Sequence, residues 1–283
     1  MKKIASFIRR ALIGVFALLM AIGSRISGEP YVVSGEAELT RSLLYNYAEG
    51  VTFMQGLASD GSTLYGFGAL KPPNYNAITK IDLRTGEILE RNEMCILLEL
   101  MKKGYAHVGD GCFYEGMLYI ALEAYGFKHP AVARYDPETL DFIDCKPIPD
   151  EAAGNGRIPW CEIADGVLYF TQSNDVDELR MLRADDMTFL GTIPIDRTLY
   201  KVQGGELLDG RMIMVTDEGE REKNVYSVDL QTGHVEVLFV RSTGKLNMEG
   251  EGITVCPARD GSVLHIVDSS PLGVRISSFA LKK

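Results

Sequence analysis

Five short segments of the chain set a polar side chain beside residues that favour close approach. They are Gln55-Gly56, Gly109-Asp110, Trp160-Cys161-Glu162, Gln203-Gly204 and Glu251-Gly252, with His107 and Glu249 just upstream of two of them. Carboxylate and amide oxygens of this kind are hard donors, suited to calcium or to a cationic or neutral small ligand. Acids held close together also shift one another's proton affinity, as they do in binding and catalytic clefts. The bland alternative is that the same side chains only hydrate a water-filled channel. His107 supplies either a titratable ligand group or an ordinary hydrogen-bonded loop histidine. Trp160, the single tryptophan, suits stacking on a ligand and packing between elements equally well.

Each segment stands shortly before an acidic-Gly pair, and these pairs reveal the elements that must position the candidates. The pairs are Asp60-Gly61, Glu115-Gly116, Asp165-Gly166, Asp209-Gly210 and Asp260-Gly261, each followed by strand-forming residues. Leu64, Leu118, Leu168, Met212 and Leu264 recur at spacings of 54, 50, 44 and 52 residues. A period of this size marks a repeat architecture. Within a repeat, one strand leads into the acidic-Gly turn, a second follows, and a polar loop leads to a third. In four copies a second turn (Asp82 to Gly86, Asp136 to Leu140, Ala184 to Thr188, Asp229 to Gly233), begun by Asp in three of them, introduces a fourth strand. Asp bonds the backbone amides of such turns and Gly tolerates their positive φ.

Four antiparallel strands in each of five repeats predict an all-β, five-bladed β-propeller. The last repeat ends without its fourth strand. Tyr31-Val32-Val33 or the stretch Ala37 to Tyr47 would supply it and close the ring, removing open sheet edges. The expected organisation is a targeting segment over 1–23, a ring-closing segment over 24–48 and the propeller over 49–283. One helical candidate, Asn92 to Lys103, reads equally well as a strand plus loop. In a propeller the first strand of each blade lines the channel, so Gln55, Asp110, Glu162, Gln203 and Glu251 are expected to converge on one funnel, with His107 and Trp160 at its mouth.

The chain carries a formal charge of −10, and its first 23 residues hold Lys2, Lys3, Arg9 and Arg10 without an acid, leaving −14 on the rest. An acidic body of this kind disfavours nucleic acid and anionic membranes as partners. Small molecules or peptides fit better, bound by a monomer. Ala11 to Gly23 is uncharged and apolar, too short for a full membrane span. Behind a basic head it reads as a signal peptide, or alternatively as an uncleaved signal-anchor. Either reading places the body outside the cytoplasm, secreted or held at the membrane by this segment. Five cysteines without CxxC spacing leave at least one free thiol, and Cys112 and Cys161 read as small buried hydrophobes. There is no Gly-x-Ser-x-Gly elbow, phosphate loop or His-Glu-x-x-His helix.

Phe53-Met54-Gln55-Gly56-Leu57, then Asp60-Gly61-Ser62-Thr63-Leu64-Tyr65 and Ile81 to Leu89, resembles the plant-type glutamine cyclotransferase family. That family consists of exported five-bladed propellers that cyclise N-terminal glutamine with loss of ammonia. The resemblance implies that Gln55 matches the Gln of the family's Phe-Thr-Gln-Gly motif and Trp160 a blade-three tryptophan. Gly109-Asp110-Gly111 stands where the family has Gly-Glu-Gly, so Asp110 would be the catalytic acid and base, one methylene short. A displacement of about 1 Å can cost on the order of a hundredfold in rate. Gln203 and Glu251 stand where the family has asparagines. Three functional expectations remain open on sequence alone. The first is a channel-mouth site that binds a small ligand or a cation such as calcium without turnover. The second is a glutamine cyclotransferase-like enzyme, and the third is a scaffold for another protein.

Overall fold

A computed structural model describes residues 28–70, 75–126, 128–154, 156–245 and 247–282. The expected targeting segment over 1–23 lies outside the described residues. Among those residues, no helix is long and apolar enough to cross a membrane.

The strands assemble into five antiparallel sheets arranged as the blades of a β-propeller. Blade one is β3 (Gly56–Ser59), β4 (Thr63–Leu70), β5 (Tyr75–Asp82) and β6 (Ile88–Asn92). Blade two is β7 (Tyr105–Tyr114), β8 (Met117–Ala124), β9 (Lys128–Tyr135) and β10 (Phe142–Pro147). Blade three is β11 (Glu162–Ala164), β12 (Val167–Phe170), β13 (Val176–Arg183) and β14 (Phe189–Leu199). Blade four is β15 (Val202–Leu208), β16 (Arg211–Thr216), β17 (Glu222–Asp229) and β18 (Val235–Ser242). Blade five is β19 (Glu249–Val255), β20 (Leu264–Ser270) and β21 (Gly273–Leu281), completed by β2 (Ala37–Tyr45).

Ring closure falls to the second of the two candidate segments. β2 pairs antiparallel with β21 from Ala37 opposite Leu281 to Tyr45 opposite Val274. β1 (Tyr31–Gly35) instead adds a fifth strand to blade four, outside β18. The chain start thus straddles the joint between blades four and five.

The acidic-Gly pairs are of two kinds. Glu115-Gly116, Asp165-Gly166 and Asp209-Gly210 have positive φ at both residues and form two-residue hairpin loops, whose twist matches that of the flanking strands. At Asp60 and Asp260 a Ser follows the Gly and the loop is longer. There the Asp carboxylate accepts the amide of Ser62 or Ser262 at 2.8 Å and 3.0 Å. The second turns close with a bond of 2.8 Å, from the fifth residue's amide to the first residue's carbonyl in three copies and, in blade three, from Met187 N to Arg183 O, one residue earlier than the expected Ala184 start. Leu140 and Met187 take positive φ where Gly86 and Gly233 stand in the other copies.

One apolar cluster fills each seam between blades. Phe67 and Ile78 meet Leu118 and Ile120 between blades one and two, and Phe53 and Ile81 meet Val267 and Ile276 between blades one and five. The Asn92 to Lys103 stretch is only partly helical, at α2 (Leu98–Lys102), after α1 (Tyr47–Gly50) and before α3 (Asp150–Ala153). Cys95 and Ile96 are buried in the first seam, and that packing holds the chain extended before α2.

Removing residues 28–45 leaves blade five with three strands and an open β21 edge. The expected outcome is loss of a single cooperative melt and self-association, measured by calorimetry and size-exclusion chromatography.

Candidate functional site in the central channel

The inner strands of blades two, four and five break register at the glycine-polar pairs. The shifts fall between Val108 and Gly111, between Val202 and Gly204, and between Gly250 and Ile253. A bulge bends its strand and re-aims the extra residue. In blade two that residue is Asp110, whose amide leaves the ladder and donates to Pro159 O at 2.8 Å, just before blade three.

The Asp110 side chain is 1% exposed. Its Oδ1 accepts from Leu57 N of blade one at 2.7 Å, and its Oδ2 from Ile253 N of blade five at 3.1 Å. Blade four closes the collar through Gly204, where an added Cβ would lie 2.4 Å from Asp110 Oδ2. At Gly252 a Cβ would lie 2.5 Å from both Asp110 Oδ1 and Gly56 Cα. Blades one, two, four and five therefore meet at one carboxyl group, while the Asp110 backbone reaches the segment leading into blade three, and glycine is required because no side-chain carbon fits there. Burial pushes Asp110 well above the usual carboxylate range, with the two amide bonds working against that shift.

Strand alternation separates the glycines from their polar neighbours. Successive side chains point to opposite faces, so the residue beside a collar glycine is turned from Asp110. Glu251 shows this: it is buried, accepts from Ser269 Oγ at 2.8 Å, and lies within electrostatic reach of Glu249 and Asp217. Burial raises its proton affinity, and the Glu249 and Asp217 charges add to the effect. Asp217 is held by Lys223 Nζ at 2.6 Å, Lys201 Nζ at 3.2 Å and Gly250 N at 3.1 Å, which ties blade four to the start of β19. Beside it, Arg241 Nη1 donates to Asp268 at 2.6 Å across the same seam, with both residues buried.

Glu162 lies along the channel from Asp110, near Cys112 and Glu206. Glu206 was not among the sequence candidates. It follows Gly204 by two residues, which places it on the collar face by the same alternation. Thr254 Oγ1 donates to it at 3.2 Å. Burial drives both glutamates well above the normal range, and each is raised further by a neighbour, Cys112 for Glu162 and Glu162 for Glu206. Cys112 and Cys161 are buried here as expected, with free thiols.

Gln55, Gln203 and His107 are half-buried toward the mouth. The Gln55 amide reaches Met54 O at 3.5 Å, and His107 Nδ1 lies 3.7 Å from Glu123 Oε2. Glu123, also missed in the sequence, is buried and accepts from Ile158 N at 2.6 Å. Trp160 takes the packing role: it is fully buried between blades three and four, its ring against Gly205 and its Nε1 donating to Thr171 Oγ1 at 3.0 Å. The expected single ring is thus divided into an axial carboxyl, a buried group around Glu162 and Glu206, and a mouth bordered by Gln55, His107, Gln203 and the Glu249–Glu251 pair. Among the described residues, no group of three His, Cys, Asp or Glu side chains is arranged to hold a metal ion.

A glutaminyl cyclase from Myxococcus xanthus superposes on 87% of this chain and 96% of its own, with a TM-score of 0.61 and 12% identity. The two proteins share a fold. A luciferin-regenerating enzyme covers 85% of this chain and 95% of its own at a TM-score of 0.50 and 10% identity. No protein-family model and no curated protein matches the sequence. The likeness to glutamine cyclotransferases therefore stands at the level of the propeller.

Asp110→Ala orphans two buried amides, each costing about 1–3 kcal/mol. Gly204→Ala overpacks the collar at about 1–3 kcal/mol. Both are expected to lower the denaturant midpoint in urea titrations. Glu162, Glu206 and Glu251 have raised folded-state pKa values, so their contribution is complete below the unfolded glutamate pKa and is lost as pH rises through the folded one. Glu206→Gln is accordingly expected to raise the melting temperature more at pH 8 than at pH 5.

Proposed function

We propose that the channel mouth binds a small cationic ligand, an amine or a peptide N-terminus, and holds it without chemical turnover. The observation that carries this reading is the state of Glu251. Its carboxyl is nearly buried and pushed up by burial, with Glu249 and Asp217 raising it further. An ammonium group placed beside Glu249 and Glu251 relieves that excess negative charge. Half-buried Gln55 and Gln203 supply amide donors and acceptors near the mouth. Asp110, in contrast, has both oxygens committed to the backbone of other blades and almost no exposed surface. A general acid must come within hydrogen-bond reach of the proton it moves.

Calorimetric titration with a glutaminyl dipeptide and its N-acetylated counterpart tests this reading. The free-amine peptide is expected to bind and the acetylated one to lose most of its affinity. Glu251→Gln is expected to weaken binding about tenfold or more, a difference of 1.4 kcal/mol or above. Because a cation prefers the ionised carboxylate, affinity rises with pH through the raised Glu251 pKa. Equal binding of both peptides, or no heat from either, contradicts the proposal.

The second reading is glutamine cyclisation, favoured by the fold shared with the Myxococcus xanthus enzyme and by the Gln55-Gly56 motif. In that case Asp110 would exchange protons with the α-amine and departing ammonia, while Gln55 and Gln203 would orient the γ-amide. Ammonia release from the same dipeptide, abolished in Asp110→Asn, would establish it over the binding reading.

A further inference from the structure

We propose that the seam between blades five and one carries a binding site for a small multivalent organic anion, on the face opposite the mouth. A cavity of about 540 Å³ opens there among the hairpin turns, between the β3–β4, β5–β6 and β19–β20 connections. That volume is typical of small-molecule sites. Its basic lining is Arg41, Arg84 and Arg259, and its apolar lining is Leu83, Pro257 and Ala258. The three arginines come from three separate parts of the chain: the closing strand β2, the β5–β6 turn of blade one, and the β19–β20 loop of blade five.

Among the described residues none of the three arginines makes a contact ion pair, although Arg84 and Arg41 lie within electrostatic reach of Asp82 and Asp260 respectively. Arginine ion pairs among the described residues involve Arg134, Arg180, Arg183, Arg211 and Arg241, and none involves these three. Each of the two acids at the cavity has one oxygen, Oδ1, engaged within its own turn. Asp82 accepts from Thr85 N at 2.5 Å and Thr85 Oγ1 at 2.8 Å, and Asp260 accepts from Ser262 N at 3.0 Å and Ser262 Oγ at 2.5 Å. Three guanidiniums against two carboxylates leave the cavity with a net positive charge on an otherwise acidic body.

Arg41 is placed by a local device. β2 breaks register between Leu39 and Arg41, with Thr40 as the extra residue and its hydroxyl donating to Ser278 O at 3.0 Å. The bulge aims Arg41 at blade one, where its Nη1 donates to Leu83 O at 2.8 Å. That leaves the rest of a planar five-donor fork for a ligand. Guanidinium forks match carboxylate and phosphate oxygens two at a time. A ligand with two or more such groups and a small apolar part fits the lining. It would join the closing strand to blades one and five across the seam where the ring is shut.

Isothermal titration with citrate and with inorganic pyrophosphate, at fixed ionic strength in sodium chloride, tests the site. Arg84→Ala/Arg259→Ala is the informative variant, because both side chains are exposed and neither holds the fold together. Saturable one-to-one binding of either anion is expected, with a parallel rise in melting temperature, and a tenfold or greater loss of affinity in the double variant. Citrate alone binding marks a polycarboxylate site, and pyrophosphate alone a phosphate site. Absence of saturable binding for both anions, or equal affinity in wild type and double variant, overturns the proposal.

Discussion

The Asp110 carboxyl group is the point on which the ring depends. Its backbone amide reaches toward blade three, its two oxygens take amides from blades one and five, and it is pressed against a glycine of blade four. Taking a carboxylate out of water is costly unless its lone pairs are satisfied. Here two backbone amides do so: Ile253 N stands at the break in register of β19, and Leu57 N lies on β3, an innermost strand with no strand paired on its channel side. The buried carboxyl, the bulges and the glycine collar are one arrangement: altering any of them leaves a buried polar group unpaired or an atom without room. Apolar packing holds each pair of blades together, whereas Asp110, through side chain and backbone, contacts the other four blades or the segment leading into them.

That arrangement also fixes where ligand chemistry can occur. The axis is filled at the level of Asp110, so the mouth on one side is distinct from the group around Glu162 and Glu206 on the other. Acids on both sides are pushed up by burial, while the turn aspartates are held below their usual range by bonds from Ser or Thr. The acidity of the chain is therefore divided by role: exposed carboxylates stabilise hairpins, and buried ones resist ionising. At the mouth a raised carboxyl, Glu251, stands next to an exposed one, Glu249.

Much of the architecture was legible in the sequence because hairpin chemistry is local. Asp-Gly pairs, strand-forming runs and a period near 50 residues specify a propeller without reference to tertiary contacts. The same signals marked the glycine-polar pairs, and Asp110 did prove to be central. What they could not carry was direction. A bulge shifts a side chain from one face to another, and its presence depends on pairing between strands rather than on residue type. Glu251 therefore turns from the axis to Ser269 of its own blade, and Trp160 lies inside a seam. Glu206 was hidden by its position beyond two glycines, although counting two residues from Gly204 would have found it. The uniform appearance of the five acidic-Gly pairs also concealed two loop classes, distinguished only by the Ser after Asp60-Gly61 and Asp260-Gly261.

Amide hydrogen exchange of Leu57 and Ile253, followed residue by residue under native conditions, tests the central role of Asp110 most directly. These amides belong to blades one and five and share a single acceptor in blade two. If that carboxyl ties the ring together, both exchange only through global unfolding, with protection equal to the most stable core amides. Rapid exchange at either amide, while the surrounding strands stay protected, would contradict the account.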